Sequence, residues 1–133
     1  MTTYLLDANV LIALTVEEHE HHLRVAAWLV GVESVALCPI VEGSFVRFLV
    51  RIGESVGVAA EVLRLMHADP RCEFWPDSVS YADADISGVR GHRQVTDAYL
   101  VALVASRGEA RLATLDAALA QASPELTALI AEG

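Results

Sequence analysis

Short apolar segments alternate along this chain with longer segments of helical periodicity, and this alternation restricts the possible folds more than any other feature. The strand-like runs are residues 4–6, 34–38, 73–75 and 111–115. Helical patterns occupy residues 8–15, 21–30, 39–53, 55–67 and 96–107. Parallel strands require connections of this kind. The pattern therefore predicts a three-layer α/β/α domain around a mostly parallel central sheet of roughly four to five strands. A further short helix is predicted over residues 81–89.

Length and composition favour one domain spanning residues 1–133, with 54% apolar residues available for a core. The longest apolar stretches are shorter than the ~18 residues that a membrane span needs. The N-terminus has no basic region before an apolar one, as a secretory signal would. Cys38 and Cys72 lie far apart with no CxxC spacing. Reduced thiols and a cytoplasmic location are therefore expected, with no membrane partner.

The net charge of −9 bears directly on possible partners, and all nine basic residues are arginine. A surface this acidic does not attract nucleic acid by its overall field. An RNA substrate would need divalent ions to neutralise an acidic site, or a local arginine patch to hold phosphates. The same acidity would suit a basic protein partner, so composition leaves both classes open.

Four acids occupy positions that a parallel sheet would bring towards one edge. Asp7 and Asp116 each follow an apolar strand-like run. Glu42 and Asp97 each lie in the opening turn of a predicted helix, on the side that faces the core. Ligands of open parallel sheets bind beyond the carboxyl ends of the strands. Acids from four distant segments are therefore expected to converge on one crevice.

Carboxylates so close together would repel one another unless a cation compensates for their charge. Oxygen-only ligands favour a hard ion, Mg²⁺ or Mn²⁺. Such an ion can activate water and polarise a phosphodiester. The alternative for each acid taken singly is a helix N-cap or a partner of the helix dipole. Four acids in this arrangement favour the metal site.

The motifs around these acids resemble those of PIN domains. The opening motif is Asp7-Ala8-Asn9-Val10-Leu11-Ile12, and the second acid lies in Pro39-Ile40-Val41-Glu42-Gly43. Gln94-Val95-Thr96-Asp97-Ala98-Tyr99-Leu100 is similar to the third-acid helix, and Ala113-Thr114-Leu115-Asp116 to the fourth-acid strand. Their order, spacing and total length resemble the VapC toxins of bacterial VapBC toxin–antitoxin systems.

This resemblance implies a metal-dependent endoribonuclease with a PIN-like fold. Asp7, Glu42, Asp97 and Asp116 match the metal-binding and catalytic acids, and Asn9 and Thr96 match the polar positions that support them. Water attack would leave a 5′-phosphate and a 3′-hydroxyl on transfer, ribosomal or messenger RNA. A homodimer and an inhibitory VapB antitoxin are also implied.

Other polar residues have two interpretations. Arg90, His92 and Arg93 could hold RNA phosphates beside Asp97, or they could form a solvated loop. The cluster of His19, His21 and His22 has no accompanying cysteine, so no metal role is assigned to it. The helices near residues 10–15 and 55–66 are candidate surfaces for a dimer mate or an antitoxin.

Two other functions must be weighed. A phosphatase-like or receiver-like phosphoryl-transfer domain also uses a strand-end aspartate and Mg²⁺. Such domains normally rely on a lysine near the phosphoryl group, and this chain has none. A catalytically silent PIN-like binding module would usually have lost one of the acids, and all four are present.

Overall fold

The computed structural model describes residues 1–131. In chain order its elements are β1 (Thr3–Leu6), α1 (Ala8–Thr15), α2 (His22–Val30), β2 (Val35–Leu37), α3 (Pro39–Arg51), α4 (Val56–Ala68), β3 (Cys72–Phe74), a 3₁₀ turn (His92–Gln94), α5 (Val95–Arg107), β4 (Ala110–Thr114), α6 (Ala117–Ala122) and β5 (Thr127–Leu129). Strands β1 to β4 and the long helices agree with the predicted segments to within a few residues.

The five strands form one parallel sheet in the order β3-β2-β1-β4-β5. Strand β1 lies at the centre, with Leu5 opposite Ala36 of β2 and Leu112 of β4. The chain moves outward from β1 through β2 to β3, then returns to place β4 on the other side of β1. The switch point of the topology therefore lies between β1 and β4, where open α/β sheets bind their ligands.

Helices cover both faces of the sheet. Right-handed crossovers place α1 to α4 on one face and α5 and α6 on the other, because the direction of strand addition reverses after β3. The packing agrees, since α3 contacts both α1 and α4 whereas α5 and α6 contact β4. The predicted three-layer α/β/α architecture is confirmed.

The core lies on both sides of the central strands. Consecutive residues Leu5 and Leu6 of β1 are both fully buried, as are Ala36 and Leu37 of β2. A strand covered by helices on both faces buries adjacent side chains, so its sequence is continuously apolar rather than alternating. The strand-like runs of the sequence have this property.

The predicted helix over residues 81–89 is wrong, because the described chain forms only turns there. Asp85 accepts hydrogen bonds from the backbone N–H of Ser87 at 3.2 Å and from its hydroxyl at 2.7 Å. The hydroxyl of Ser80 accepts another from the N–H of Ala82. Such local bonds from short polar side chains satisfy backbone groups without a helix.

The two candidate partner surfaces differ in exposure. Val10 and Leu11 of α1 are fully buried, so most of that helix belongs to the core. In α4, by contrast, Val56 and Leu65 are 63% and 65% exposed. Among the helices of residues 1–131, none combines the length and apolar character needed to cross a bilayer.

The link from α5 to β4 depends on a glycine conformation. Gly108 has φ 69° and ψ 148°, a combination that is essentially restricted to glycine. Gly31, at the end of α2, has φ −90° and ψ 5°, which any residue tolerates. A Cβ at either position would meet no heavy atom within 4 Å, so the two sites differ in backbone strain and not in available space.

We expect Gly108→Ala to lower the free energy of unfolding by about 1–3 kcal/mol, because alanine must adopt a strained conformation there. Gly31→Ala should be neutral or stabilise the fold by up to about 1 kcal/mol, because it restricts the unfolded chain. Urea unfolding of both variants measures the difference. Equal changes at the two sites would show that strain at Gly108 is unimportant.

Candidate functional site

Asp7 and Asp116 lie where the two central strands β1 and β4 reach the edge of the sheet. Both cap the helix that follows: Asp7 Oδ1 accepts from the N–H of Ala8 at 2.8 Å. Asp116 Oδ1 accepts from the N–H groups of Ala118 at 2.9 Å and Leu119 at 3.2 Å. The capping interpretation is therefore correct for both residues. Each of these bonds uses Oδ1, so capping leaves the second carboxylate oxygen for other partners.

The hydroxyl of Thr114 joins the two strand ends. It donates to Asp7 Oδ2 at 2.8 Å and accepts from the backbone N–H of Asp116 at 3.1 Å. Thr114 is fully buried at the end of β4. Sequence reasoning missed this residue. The available signal was a hydroxyl two positions before the fourth acid, at the end of an otherwise apolar strand.

Asn9 ties the same region together from the first turn of α1. Its side-chain carbonyl accepts from the N–H of Leu115 at 3.2 Å, and its amide donates to Thr114 Oγ1 at 3.4 Å. The side chain therefore bridges the segment after β1 and the segment after β4. Thr96, the other polar position, is exposed beside Asp97 in the first turn of α5.

Asp97 approaches Asp7 and Asp116 from α5. Partial burial raises its pKa to about 6, and the negative charges of Asp7 and Asp116 add to this effect. Burial also raises the pKa of Asp7, with a smaller contribution from Asp116, although the bonds from Thr114 and Ala8 oppose the shift. The charges of these three aspartates therefore interact across the ends of β1, β4 and the start of α5.

Glu42 occupies the expected first turn of α3 but makes a different contact. Its Oε2 lies 2.6 Å from Nε2 of His67, near the end of α4. The hydrogen-bond partner of Glu42 therefore lies on α4 and is not one of the three aspartates. Within residues 1–131, no three His, Cys, Asp or Glu side chains are grouped so that they could jointly hold one metal ion.

The chemistry of the three aspartates nevertheless suits a hard divalent cation. They offer only oxygen donors, and their mutual repulsion is relieved by added positive charge. Mg²⁺ is usually held by one or two carboxylates and keeps several waters, so it does not require a cage of protein ligands. The residues present therefore fit such an ion.

An open cavity of about 590 Å³ adjoins these acids. Asp97 and Asp116 are among its lining residues, together with Val101 of α5 and Leu119 of α6. Arg90, His92 and Arg93 are all exposed in the segment that leads into α5. Asp97 and Asp116 are thus accessible from this cavity, whereas Asp7 is buried, and three basic side chains precede Asp97 along the chain.

The sequence also matches known proteins. The family model described as PIN domain matches residues 4–123. The chain is 50% identical over 129 residues to Ribonuclease VapC29 of Mycobacterium tuberculosis, an alignment that covers 96% of each protein. It is 38% identical over 131 residues to Ribonuclease VapC38 of the same organism, with 91% of this chain and 92% of the relative covered. Ribonuclease VapC39 of that organism is 37% identical over 131 residues, with 91% and 94% covered.

Burial of the Asp97 carboxylate, together with repulsion by Asp7 and Asp116, should cost stability in the absence of metal. The folded chain holds the Asp97 proton up to about pH 6, whereas an unfolded carboxyl releases it near 3.8. The favourable contribution of Asp97 to the free energy of unfolding is therefore fully present below pH 3.8 and is lost as the pH rises through 6. We expect Asp97→Asn to raise the free energy of unfolding by about 1–2 kcal/mol near pH 7.5, after allowance for solvent screening of a half-exposed group.

Urea unfolding in a chelator, at about pH 7.5 and about pH 4.5, measures this gain, which should be smaller at the lower pH. Asp83→Asn is the matched control, because Asp83 is exposed in the segment 76–91. A gain for Asp97→Asn that is absent, or that is larger at the lower pH, would contradict an electrostatic cost of the ionised Asp97 carboxylate.

Proposed function

Because the chain belongs to the PIN-domain family and groups with its VapC ribonucleases, we propose that it is a divalent-metal-dependent endoribonuclease. The observation that carries the proposal is the interaction of the Asp97 carboxyl with the charges of Asp7 and Asp116 near the switch point, where burial and these charges raise the pKa of Asp97 to about 6. Carboxylates that lie near one another despite their mutual repulsion are typical of sites that bind cations. RNA offers the phosphodiester on which such a site acts.

In this proposal Asp7, Glu42, Asp97 and Asp116 bind Mg²⁺ or Mn²⁺. The bound cation supplies positive charge that activates water and stabilises the charge developing on the phosphate. Asp7 is held for this role by the Thr114 hydroxyl, and Asn9 keeps the ends of β1 and β4 in register. Thr96 would support the first turn of α5 from its exposed side. Attack by water, with the 3′ oxygen leaving, gives a 5′-phosphate and a 3′-hydroxyl.

The VapC grouping also implies a VapB antitoxin as inhibitor and a homodimer as the assembled form. Exposed apolar side chains on α4, including Val56 and Leu65, support a partner on this helix. In this proposal, the protein meets its RNA substrate and its antitoxin in the cytoplasm. Family membership argues against the phosphatase-like and receiver-like alternatives.

We expect Asp97→Asn to lower the rate of RNA cleavage by about 100-fold or more, because cation binding loses a charged ligand. The same variant should be more stable than the wild type, so its loss of activity cannot be attributed to misfolding. The assay uses total RNA with Mn²⁺, mapping of the cleaved ends, and Asp83→Asn as control. Chelation should abolish cleavage and added Mn²⁺ restore it.

If wild type and Asp97→Asn degrade RNA equally, the activity does not belong to this site. If the wild type binds Mn²⁺ and RNA but cleaves none of the RNA classes, the chain is a silent binding module. Ends other than a 5′-phosphate and a 3′-hydroxyl would exclude water as the nucleophile.

The exposed basic residues Arg90 and Arg93 are proposed to hold RNA phosphates. Replacing both with alanine should weaken RNA binding and reduce the slope of log affinity against log salt by about 0.7 for each phosphate that is no longer neutralised. Mn²⁺ binding should remain intact. Arg51→Ala/Arg64→Ala removes the same charge from exposed positions on α3 and α4 and serves as control. Equal effects of the two double variants would assign the weaker binding to net charge alone.

A further inference from the structure

Glu42 and His67 form a close pair that joins the start of one helix to the end of the helix packed beside it. Glu42 lies in the first turn of α3, where its N–H donates to Cys38 O at 3.0 Å. His67 lies in the last turn of α4, and its Nε2 is 2.6 Å from Glu42 Oε2. The side chains of Glu42 and His67 are 20% and 30% exposed, respectively, so the bond is partly sheltered from competing water.

Two residues of β3 hold the imidazole ring of His67. Phe74 makes an edge-on contact, with ring centroids 5.9 Å apart and planes at 67°. Cys72 Sγ lies 3.9 Å from Nδ1 of His67. Cys72 and Phe74 are two positions apart on one strand, so their side chains share a face of the sheet. Three elements, α3, α4 and β3, therefore converge on this ring.

The contacts also indicate which ring nitrogen of His67 donates to Glu42. Nε2 faces a carboxylate oxygen, which can only accept, so the proton belongs on Nε2. Nδ1 then accepts, and the Cys72 thiol is a weak donor that divides between Nδ1 and Glu73 O, both at 3.9 Å. Burial raises the pKa of Cys72 to about 11, with smaller contributions from Asp69, Glu42 and Glu73, so the thiol keeps its proton.

We propose that His67 is a positioning residue for Glu42: its Nε2–H holds Oε2 and leaves Oε1 as the oxygen that Glu42 offers to the cation. The inference rests on the proposed function and assigns a role to a residue outside the four acids. A glutamate has three side-chain torsions, and a bond to one oxygen removes much of this freedom before the cation arrives. Hydrogen bonds to ligating carboxylates typically change metal affinity or activity by roughly 10–100-fold.

Mn²⁺ affinity, measured by calorimetry on the full chain at one fixed pH near 7.5, tests this role. We expect His67→Ala to weaken Mn²⁺ binding about 10-fold. His67→Gln keeps an N–H near the position of Nε2 and should retain affinity within about 3-fold. In RNA cleavage at saturating Mn²⁺, His67→Ala should lower kcat while leaving KM for RNA unchanged. His19→Ala removes a histidine remote from this pair and should change neither quantity.

A double-mutant cycle shows whether His67 acts through Glu42. In a Glu42→Ala background, adding His67→Ala should cause no further decrease in Mn²⁺ affinity. An equal decrease in both backgrounds would overturn the inference, as would tighter Mn²⁺ binding by His67→Ala, which would mean that His67 holds Glu42 away from the cation. If His67→Ala does not unfold cooperatively, His67→Leu, which keeps volume but has no N–H, takes its place.

The outcomes separate the two proposals. A wild type that takes up Mn²⁺ and cleaves RNA, with unchanged affinity in His67→Ala, overturns the role of His67 alone. A wild type that takes up no Mn²⁺ and cleaves no RNA overturns the ribonuclease proposal and the role of His67 together.

Discussion

The hydroxyl of Thr114 connects the ends of the two central strands, and the arrangement of the acids depends on that connection. Its bonds to Asp7 Oδ2 and to the N–H of Asp116 hold two like charges on neighbouring strands. Without a buried donor at this position, the carboxylate of Asp7 would lose part of the compensation for its burial. The helix caps add further N–H donors to both aspartates, so the fold itself supplies the partial positive charge that makes their proximity tolerable.

The burial of the Asp97 charge is not offset by hydrogen bonds of this kind within the described residues. This difference distinguishes Asp97 from Asp7, whose carboxylate is held by such bonds. Burial and the charges of both neighbouring aspartates raise the pKa of Asp97, and within residues 1–131 no hydrogen bond opposes this shift. A protein under selection for stability alone would place an amide or an apolar residue there. In the proposed function, an uncompensated carboxylate at the switch point attracts cations at the expense of stability in their absence.

The carboxylate of Glu42 is held differently from those of the aspartates. One of its oxygens lies 2.6 Å from Nε2 of His67, and Phe74 of β3 packs edge-on against that imidazole ring. The acids thus fall into a repelling group of three and a single acid with its own partner. In the proposed cation site, the ligands would therefore come from two sides, with the larger electrostatic cost at Asp97.

The sequence by itself determined the α/β class, the approximate element bounds and the placement of each acid at a strand end or in a first helical turn, because periodicity and strand-end position are local properties. It failed over residues 81–89, where short polar side chains satisfied the backbone without a helix. Only the tertiary structure decided which groups meet: Thr114 with Asp7, and Glu42 with His67. These contacts join residues 107 and 25 positions apart, and such distances depend on strand order and helix packing, which no local pattern records.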